Sequence, residues 1–188
     1  VGLYLVAVAG WPILVIGLLS IAAGYAYTGG PFPLGYNGLG DVFVMVFFGF
    51  VAVCGSYFVQ TGQVSTVAIA ASIPVGALGV ALLAVNNLRD APTDAKAGKR
   101  TLVVRFGRRF GQGEYIAMLA LAFAMPLILW ATGHVGLPVF LAYAAAPLAI
   151  APLKRVLGEE GATLNLALAG TAKLQWLFGL LFALGLAF

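Results

Sequence analysis

Six runs of apolar residues, each about as long as a bilayer is thick, divide the chain: Gly2–Gly24, Val42–Gln60, Val64–Leu88, Tyr115–Thr132, Leu137–Leu153 and Thr171–Phe188. A helix needs about 20 apolar residues to cross the hydrocarbon core. None of the runs shows the strict apolar–polar alternation of a barrel strand. Lipid leaves no partner for an unpaired backbone group, so uninterrupted apolar runs of this length predict helices. The pattern therefore predicts an all-α fold, a polytopic membrane helix bundle with six transmembrane helices. With no internal repeat and no low-complexity linker, residues 1–188 read as a single domain. Pro and Gly recur inside the runs, at Pro74, Gly76, Gly79, Pro126, Pro138 and Pro147, where they permit kinks and close helix contact.

Composition agrees with the pattern. Of the 188 residues 62% are hydrophobic and 9% charged, outside the range of soluble domains. The chain opens at Val1, with no initiator Met and no basic stretch ahead of the first apolar run. That start is unlike a secretory signal peptide, and we expect it to be a truncated beginning. The single cysteine, Cys54, lies in an apolar run and reads as a small buried hydrophobe; it excludes a disulfide framework and a cysteine metal cluster.

Charge sets the expected topology. Seven of the ten Lys and Arg lie between Arg89 and Arg109, and the others are Lys154, Arg155 and Lys173. The connections at Thr61–Gln63 and Gly133–Gly136 carry no charged residue. Tyr25–Asp41, Arg89–Glu114 and Lys154–Gly170 should thus share one side, which the excess of Lys and Arg predicts to be cytoplasmic. For a bacterial protein this means the inner membrane. The net charge of +4 is accounted for by topology and needs no nucleic-acid partner. The competing class is a non-enzymatic membrane protein such as a small transporter or a scaffold; a transporter would place ionisable groups near the midplane or on both faces, since a path must cross, and here they stop at one face.

On the charged side, Asp90 and Asp94 stand four residues apart at the end of an apolar run, preceded by Asn86 and Asn87. On a continuous helix Asn86, Asp90 and Asp94 occupy one face, with Cβ atoms about 6 Å apart. Pro92 disfavours helix just before it, so the helix either persists or ends near Asp90 and returns Asp94 on a turn. Two carboxylates followed by Lys96, Lys99, Arg100 and Arg105 suit Mg2+ and a polyphosphate: magnesium is held by one or two carboxylates plus phosphate oxygens, and the cations bind the remaining oxygens. A diphosphate on a lipid tail fits such a site, with its head at the surface and its tail among the helices.

Other chemistries fail on the residues. Gly98-Lys99 lacks the Ser or Thr and the first glycine of a P-loop, and Gly107–Gly113 lacks the dinucleotide fingerprint. His134, the only histidine, is expected on the uncharged side in a structural role. The segment Tyr27–Asp41 packs five glycines and two prolines beside Tyr27 and Tyr36, and reads as a stiff interfacial connector or as the lining of a site entrance.

The run Asn86-Asn87-Leu88-Arg89-Asp90-x-x-x-Asp94-x-x-x-Gly98-Lys99-Arg100-Thr101-Leu102-x-Val104-Arg105-x-Gly107 resembles the second aspartate-rich motif of the intramembrane aromatic prenyltransferases of the UbiA superfamily. The double asparagine, the Gly-Lys-x-Thr-Leu run and Tyr27-Thr28-Gly29-Gly30-Pro31-x-Pro33-Leu34-Gly35-Tyr36 are similar to the 1,4-dihydroxy-2-naphthoate polyprenyltransferase branch. The 4-hydroxybenzoate branch carries a basic segment where this loop is glycine-rich.

The resemblance implies a nine-helix bundle with two aspartate-rich motifs, of which these spans resemble the fourth to ninth. The first motif is then expected upstream of Val1, and the chain alone is expected to be inactive. It assigns Asp90 and Asp94 to catalysis through Mg2+ and diphosphate, Asn86 and Asn87 to orienting that shell, and Lys99 and Arg100 to diphosphate oxygens. Tyr27, Tyr36 and Asp41 would contact the acceptor or diphosphate. Lys173, expected near the cytoplasmic end of the last span, either snorkels to the headgroups or pairs with an anionic substrate group. The implied reaction joins polyprenyl diphosphate to 1,4-dihydroxy-2-naphthoate with loss of diphosphate and carbon dioxide, giving demethylmenaquinone. Another aromatic acceptor, such as 4-hydroxybenzoate, is the alternative.

Overall fold

A computed structural model describes residues Val1–Phe188 as helices joined by turns, with no strand. The first apolar run is two helices, α1 (Gly2–Ala9) and α2 (Trp11–Thr28), parted at Gly10, whose φ of 81° only glycine adopts readily. The second run is α3 (Gly40–Thr61), which widens into a π-helical stretch over Met45–Val51. The third is α4 (Thr66–Lys96), 31 residues long. A short helix, α5 (Leu102–Phe106), then leads into α6 (Arg108–Ala131). The fifth run is a 3-10 stretch (Leu137–Ala145) continued by α7 (Pro147–Gly158) at a 44° bend, and the last helix is α8 (Leu164–Ala187). Five helices are long and apolar enough to cross a membrane, six if the bent pair is one span, so the chain is a multi-pass membrane protein.

The uncharged connections are short, as expected: α3 and α4 are joined through Gly62, and α6 ends at Ala131 before the stretch from Leu137. At the other end the boundaries need correction. Helix α4 continues eight residues past Leu88, α6 begins seven residues before Tyr115, α7 runs five residues past Leu153, and α8 begins seven residues before Thr171. The expected loop Lys154–Gly170 is thereby reduced to a turn around Gly161–Thr163. Hydropathy marks where lipid ends, whereas a helix runs on into water until a cap stops it.

Helix α4 is the axis of the bundle and packs on α3, α6 and α8. Its buried face is mostly small: Ala77, Ala81 and Ala84 are fully buried with Leu78 and Val85. Lipid tails are as apolar as side chains, so helices associate here through close packing and not through the hydrophobic effect. A Cβ placed on Gly49 of the π-helical stretch would come 2.9 Å from both the Gly76 Cα and the Ser72 carbonyl oxygen. The wide turn and two glycines thus let backbone meet backbone. Between α6 and α8, fully buried Tyr115 and Thr171 share a 2.9 Å hydrogen bond, and the Thr171 hydroxyl lies 2.8 Å from the Ala167 carbonyl.

Gly49→Ala should destabilise the bundle by about 1–3 kcal/mol, because the intruding methyl meets main chain that cannot turn aside. Denaturant unfolding in micelles checks this, with Gly55→Ala, at a position open to its surroundings, as the neutral comparison.

Candidate functional site

Of the two geometries open for the aspartates, the structure has the continuous helix. Helix α4 carries Pro92 in its last turns and ends only at Lys96. The Thr93 hydroxyl donates to the Asp90 carbonyl (2.8 Å), adding a local bond to the turn that proline weakens. Gly98, at φ 72°, then reverses the chain, and the Lys99 N–H caps the Asp94 carbonyl at 2.9 Å. Asn86, Asp90 and Asp94 therefore share one helical face. Asn87 points elsewhere and is 3% exposed.

Each carboxylate meets a cation of its own chain. Arg89 grips Asp90 with two bonds, Nε to Oδ1 at 2.7 Å and Nη2 to Oδ2 at 2.6 Å. The same guanidinium donates to Asn86 Oδ1 and to Asn165 Oδ1, both at 2.8 Å, tying α4 to α8. Lys99 Nζ lies 3.2 Å from Asp94 Oδ2, an oxygen that is buried and accepts no well-aligned hydrogen bond. Neither Arg89 nor Asn165 stood out in the sequence. Arg89 was legible only as a neighbour of Asp90, and nothing in a chain separation of 76 residues announces Asn165.

Basic residues beyond α4 divide by task. Arg105 donates to the Asn37 carbonyl (2.7 Å) and the Arg100 N–H to the Tyr36 carbonyl (2.7 Å), so the glycine-rich segment docks on the loop that follows the aspartates. The Arg100 side chain and much of Tyr36 are exposed; Tyr27 is half-buried beneath the docked loop. Arg108 and Gln112 donate to the Val156, Leu157 and Glu159 carbonyls, closing the end of α7. Arg155 pairs with Glu159 at 2.8 Å.

Lys173 is not brought to the aspartates, which corrects its expected place at a helix end. It lies nine residues beyond Leu164, about 13 Å along α8. It is exposed beside Leu148 and Trp176, roughly 140–160° around the helix from Leu168 and Gln175.

Below Asn86 an apolar cavity of about 370 Å³ opens between α3, α4 and α8, lined by Val44, Phe48, Gly79, Leu82, Leu83, Leu168 and Gln175. It shares Val44 and Phe48 with a groove of about 510 Å³ between α2 and α3, walled by Tyr27, Phe43 and Phe47. A polar head at the aspartates thus has an apolar channel beneath it, of the size that takes small ligands.

The donor set suits magnesium: Asn86, Asp90 and Asp94 offer oxygen only, and one Asp94 oxygen is buried without a hydrogen bond. No third acid joins the two carboxylates.

The profile of the UbiA prenyltransferase family matches residues 1–168. A Bacillus subtilis (strain 168) protein named 1,4-dihydroxy-2-naphthoate octaprenyltransferase is 33% identical over 186 residues, which are 98% of this chain and 60% of that protein. Proteins of the same name from Escherichia coli (strain K12) and Mycobacterium tuberculosis are 38% and 41% identical over 98% and 68% of this chain. The chain spans no more than 62% of the length of these three relatives.

Arg89→Gln should lower stability by about 1 kcal/mol, since the side chains of the pair keep 25% and 31% of their surface exposed and solvent screens it. Asn165→Ala, which removes one of the four bonds of the guanidinium, should cost less. Unfolding at low and high salt tests both, the Arg89 effect shrinking as salt rises.

Proposed function

Because the chain belongs to the UbiA prenyltransferase family, we propose that it carries the second aspartate-rich half of an enzyme that transfers a polyprenyl group from polyprenyl diphosphate to 1,4-dihydroxy-2-naphthoate. The observation that supports this most is the placement of Asn86, Asp90 and Asp94 on one face of α4, directly above the apolar cavity. The names of the similar proteins support the acceptor.

In this reading Asp90 and Asp94 are the metal ligands and Asn86 completes an oxygen-lined edge. Magnesium, when bound, neutralises charge on the departing diphosphate. Arg89 and Lys99 leave the carboxylates and turn to phosphate oxygens, with Arg100 and Arg105 at the rim adding charge-assisted bonds. Asn87 supports this shell from the buried side of α4. The cavity below Asn86 holds the allylic tail; Phe48 on its wall, with Phe43 and Phe47 in the adjoining groove, keeps water from the carbon that becomes cationic. Breaking the allylic C–O bond releases diphosphate. The electron-rich ring carbon that bears the carboxylate then attacks the allylic carbon; its bond to the carboxylate breaks, carbon dioxide leaves, and the electron pair restores the aromatic ring. The product is demethylmenaquinol, the hydroquinone that a separate two-electron oxidation takes to demethylmenaquinone. Tyr27 and Tyr36 border the path by which the acceptor arrives. The Lys and Arg cluster orients the site toward the cytoplasm of a bacterial inner membrane.

Turnover of an isoprenyl diphosphate with magnesium and 1,4-dihydroxy-2-naphthoate, in a polypeptide carrying both aspartate-rich motifs, tests the reading. Turnover of 4-hydroxybenzoate alone would sink it. In that polypeptide Asp90→Asn and Asp94→Asn should each cut the rate by about 100-fold or more with the fold intact. Residues 1–188 by themselves should be inactive; robust turnover by them would remove the requirement for the first motif.

A further inference from the structure

Asp41 begins α3 and is 8% exposed, yet its Oδ1 has no hydrogen-bond partner. It lines a cavity of about 10 Å³ whose other walls include Gly35, Gly38, Asn87, Lys99 and Thr101. A cavity of that size takes about one water molecule or one ammonium group. It excludes a naphthoate ring or a diphosphate, so the oxygen of Asp41 does not meet either substrate there. A buried carboxylate with no partner is costly, and a compensating cation relieves that cost. Lys99 is the only basic residue on this cavity wall. Its ammonium has three donors, and in this structure it is occupied with Asp94.

We infer that Asp41 is a positioning residue for Lys99: it takes the ammonium when Asp94 turns to metal and diphosphate, and holds it with donors left for phosphate oxygens. The inference rests on the proposed role of Asp94. The Lys99 stem is four carbons long and flexible, so rotation about its side-chain bonds redirects the ammonium while the backbone stays capped on Asp94. Both ends of the swing are fixed by tertiary structure. Asp94 sits on α4, and Asp41 is held where the glycine-rich loop closes; a Cβ on Gly38 would come 2.9 Å from the Arg100 carbonyl oxygen, and one on Gly35 would come 2.9 Å from the Tyr27 ring. Glu114, another buried carboxylate with an unpartnered oxygen, does not line this cavity, but it lies close enough to Asp41 for the two charges to repel, which adds to the cost of leaving Asp41 bare.

The test needs neither metal nor substrate. In the micelle-embedded 188-residue chain, Asp94→Asn removes the resting partner of Lys99, and acetylation by acetic anhydride, followed residue by residue by mass spectrometry, reports whether the ammonium finds another. Exposed Lys154 is the internal reference. Lys99 should stay about as protected in Asp94→Asn as in the unsubstituted chain. In Asp94→Asn/Asp41→Asn its acetylation should rise about tenfold, because the last carboxylate that engages the amine is then gone. Asp41→Ser in the same background should repeat the result, and thermal unfolding with an unchanged Lys154 rate identifies folded variants. Equal Lys99 rates in the single and double variants would overturn the inference. Because diphosphate is absent, that outcome leaves the transfer reading to its own assay.

Discussion

The close packing of neighbouring helices on α4 is the constraint on which the rest of this structure depends. Lipid supplies no hydrophobic force to press helices together, so they adhere only where side chains are small enough for backbones to approach. Ala77, Ala81, Ala84, Gly49 and Gly76 meet that requirement around one axis. Held by α3, α6 and α8, α4 keeps a single helical phase from Thr66 to Lys96 despite two internal prolines. That phase is what sets Asn86, Asp90 and Asp94 one above another.

At the charged end of α4 the chain neutralises its own acids. Arg89 sits on Asp90 with the bidentate, charge-assisted geometry that a phosphate would also seek, and Lys99 forms a looser ion pair with Asp94. Carboxylates at a membrane edge are expensive to leave bare. Pairing them with cations of the same chain removes that cost; in the proposed reading it also keeps donors for a diphosphate beside the same carboxylates. Arg89 reaches Asn165 on α8 as well, so the ion pair also sets how the last helix meets the axis. The remaining ion pairs of this end, around Arg108 and Arg155, close the end of α7 and stand apart from the aspartates.

What was legible in the sequence follows from what lipid enforces. An apolar run of bilayer length has one structural solution, so the number of spans and the short turns at Gly62 and Gly133 could be read directly. The ends of α4, α6 and α8 could not, since in water a helix stops at a cap and not at a change in hydropathy. That difference misplaced Lys173: with the last helix beginning at Leu164, the residue moves from a helix end to its outer side. The breaks at Gly10 and within Leu137–Pro147 have local causes, yet Pro74 and Pro92 leave α4 unbroken. The outcome depends on the packing around each proline. The spacing of the aspartates needed only the helical repeat, whereas the link from Arg89 to Asn165 exists only after α8 has docked.

The glycine-rich segment has a packing reason for its composition that the sequence does not disclose. Among its five glycines in fifteen residues, Gly35 and Gly38 are needed because no Cβ fits between the loop, the Tyr27 ring and the Arg100 carbonyl. The segment is pressed onto the chain that follows Asp94 and pinned by Arg105 and the Arg100 N–H. Phosphate contacts made by Arg100 or Arg105 would therefore pull directly on the loop that roofs Asp41 and on Tyr27, which walls both the small cavity and the larger apolar groove. In the proposed reading, head-group recognition and the shape of the apolar groove would then be linked through Tyr27, which lines both cavities.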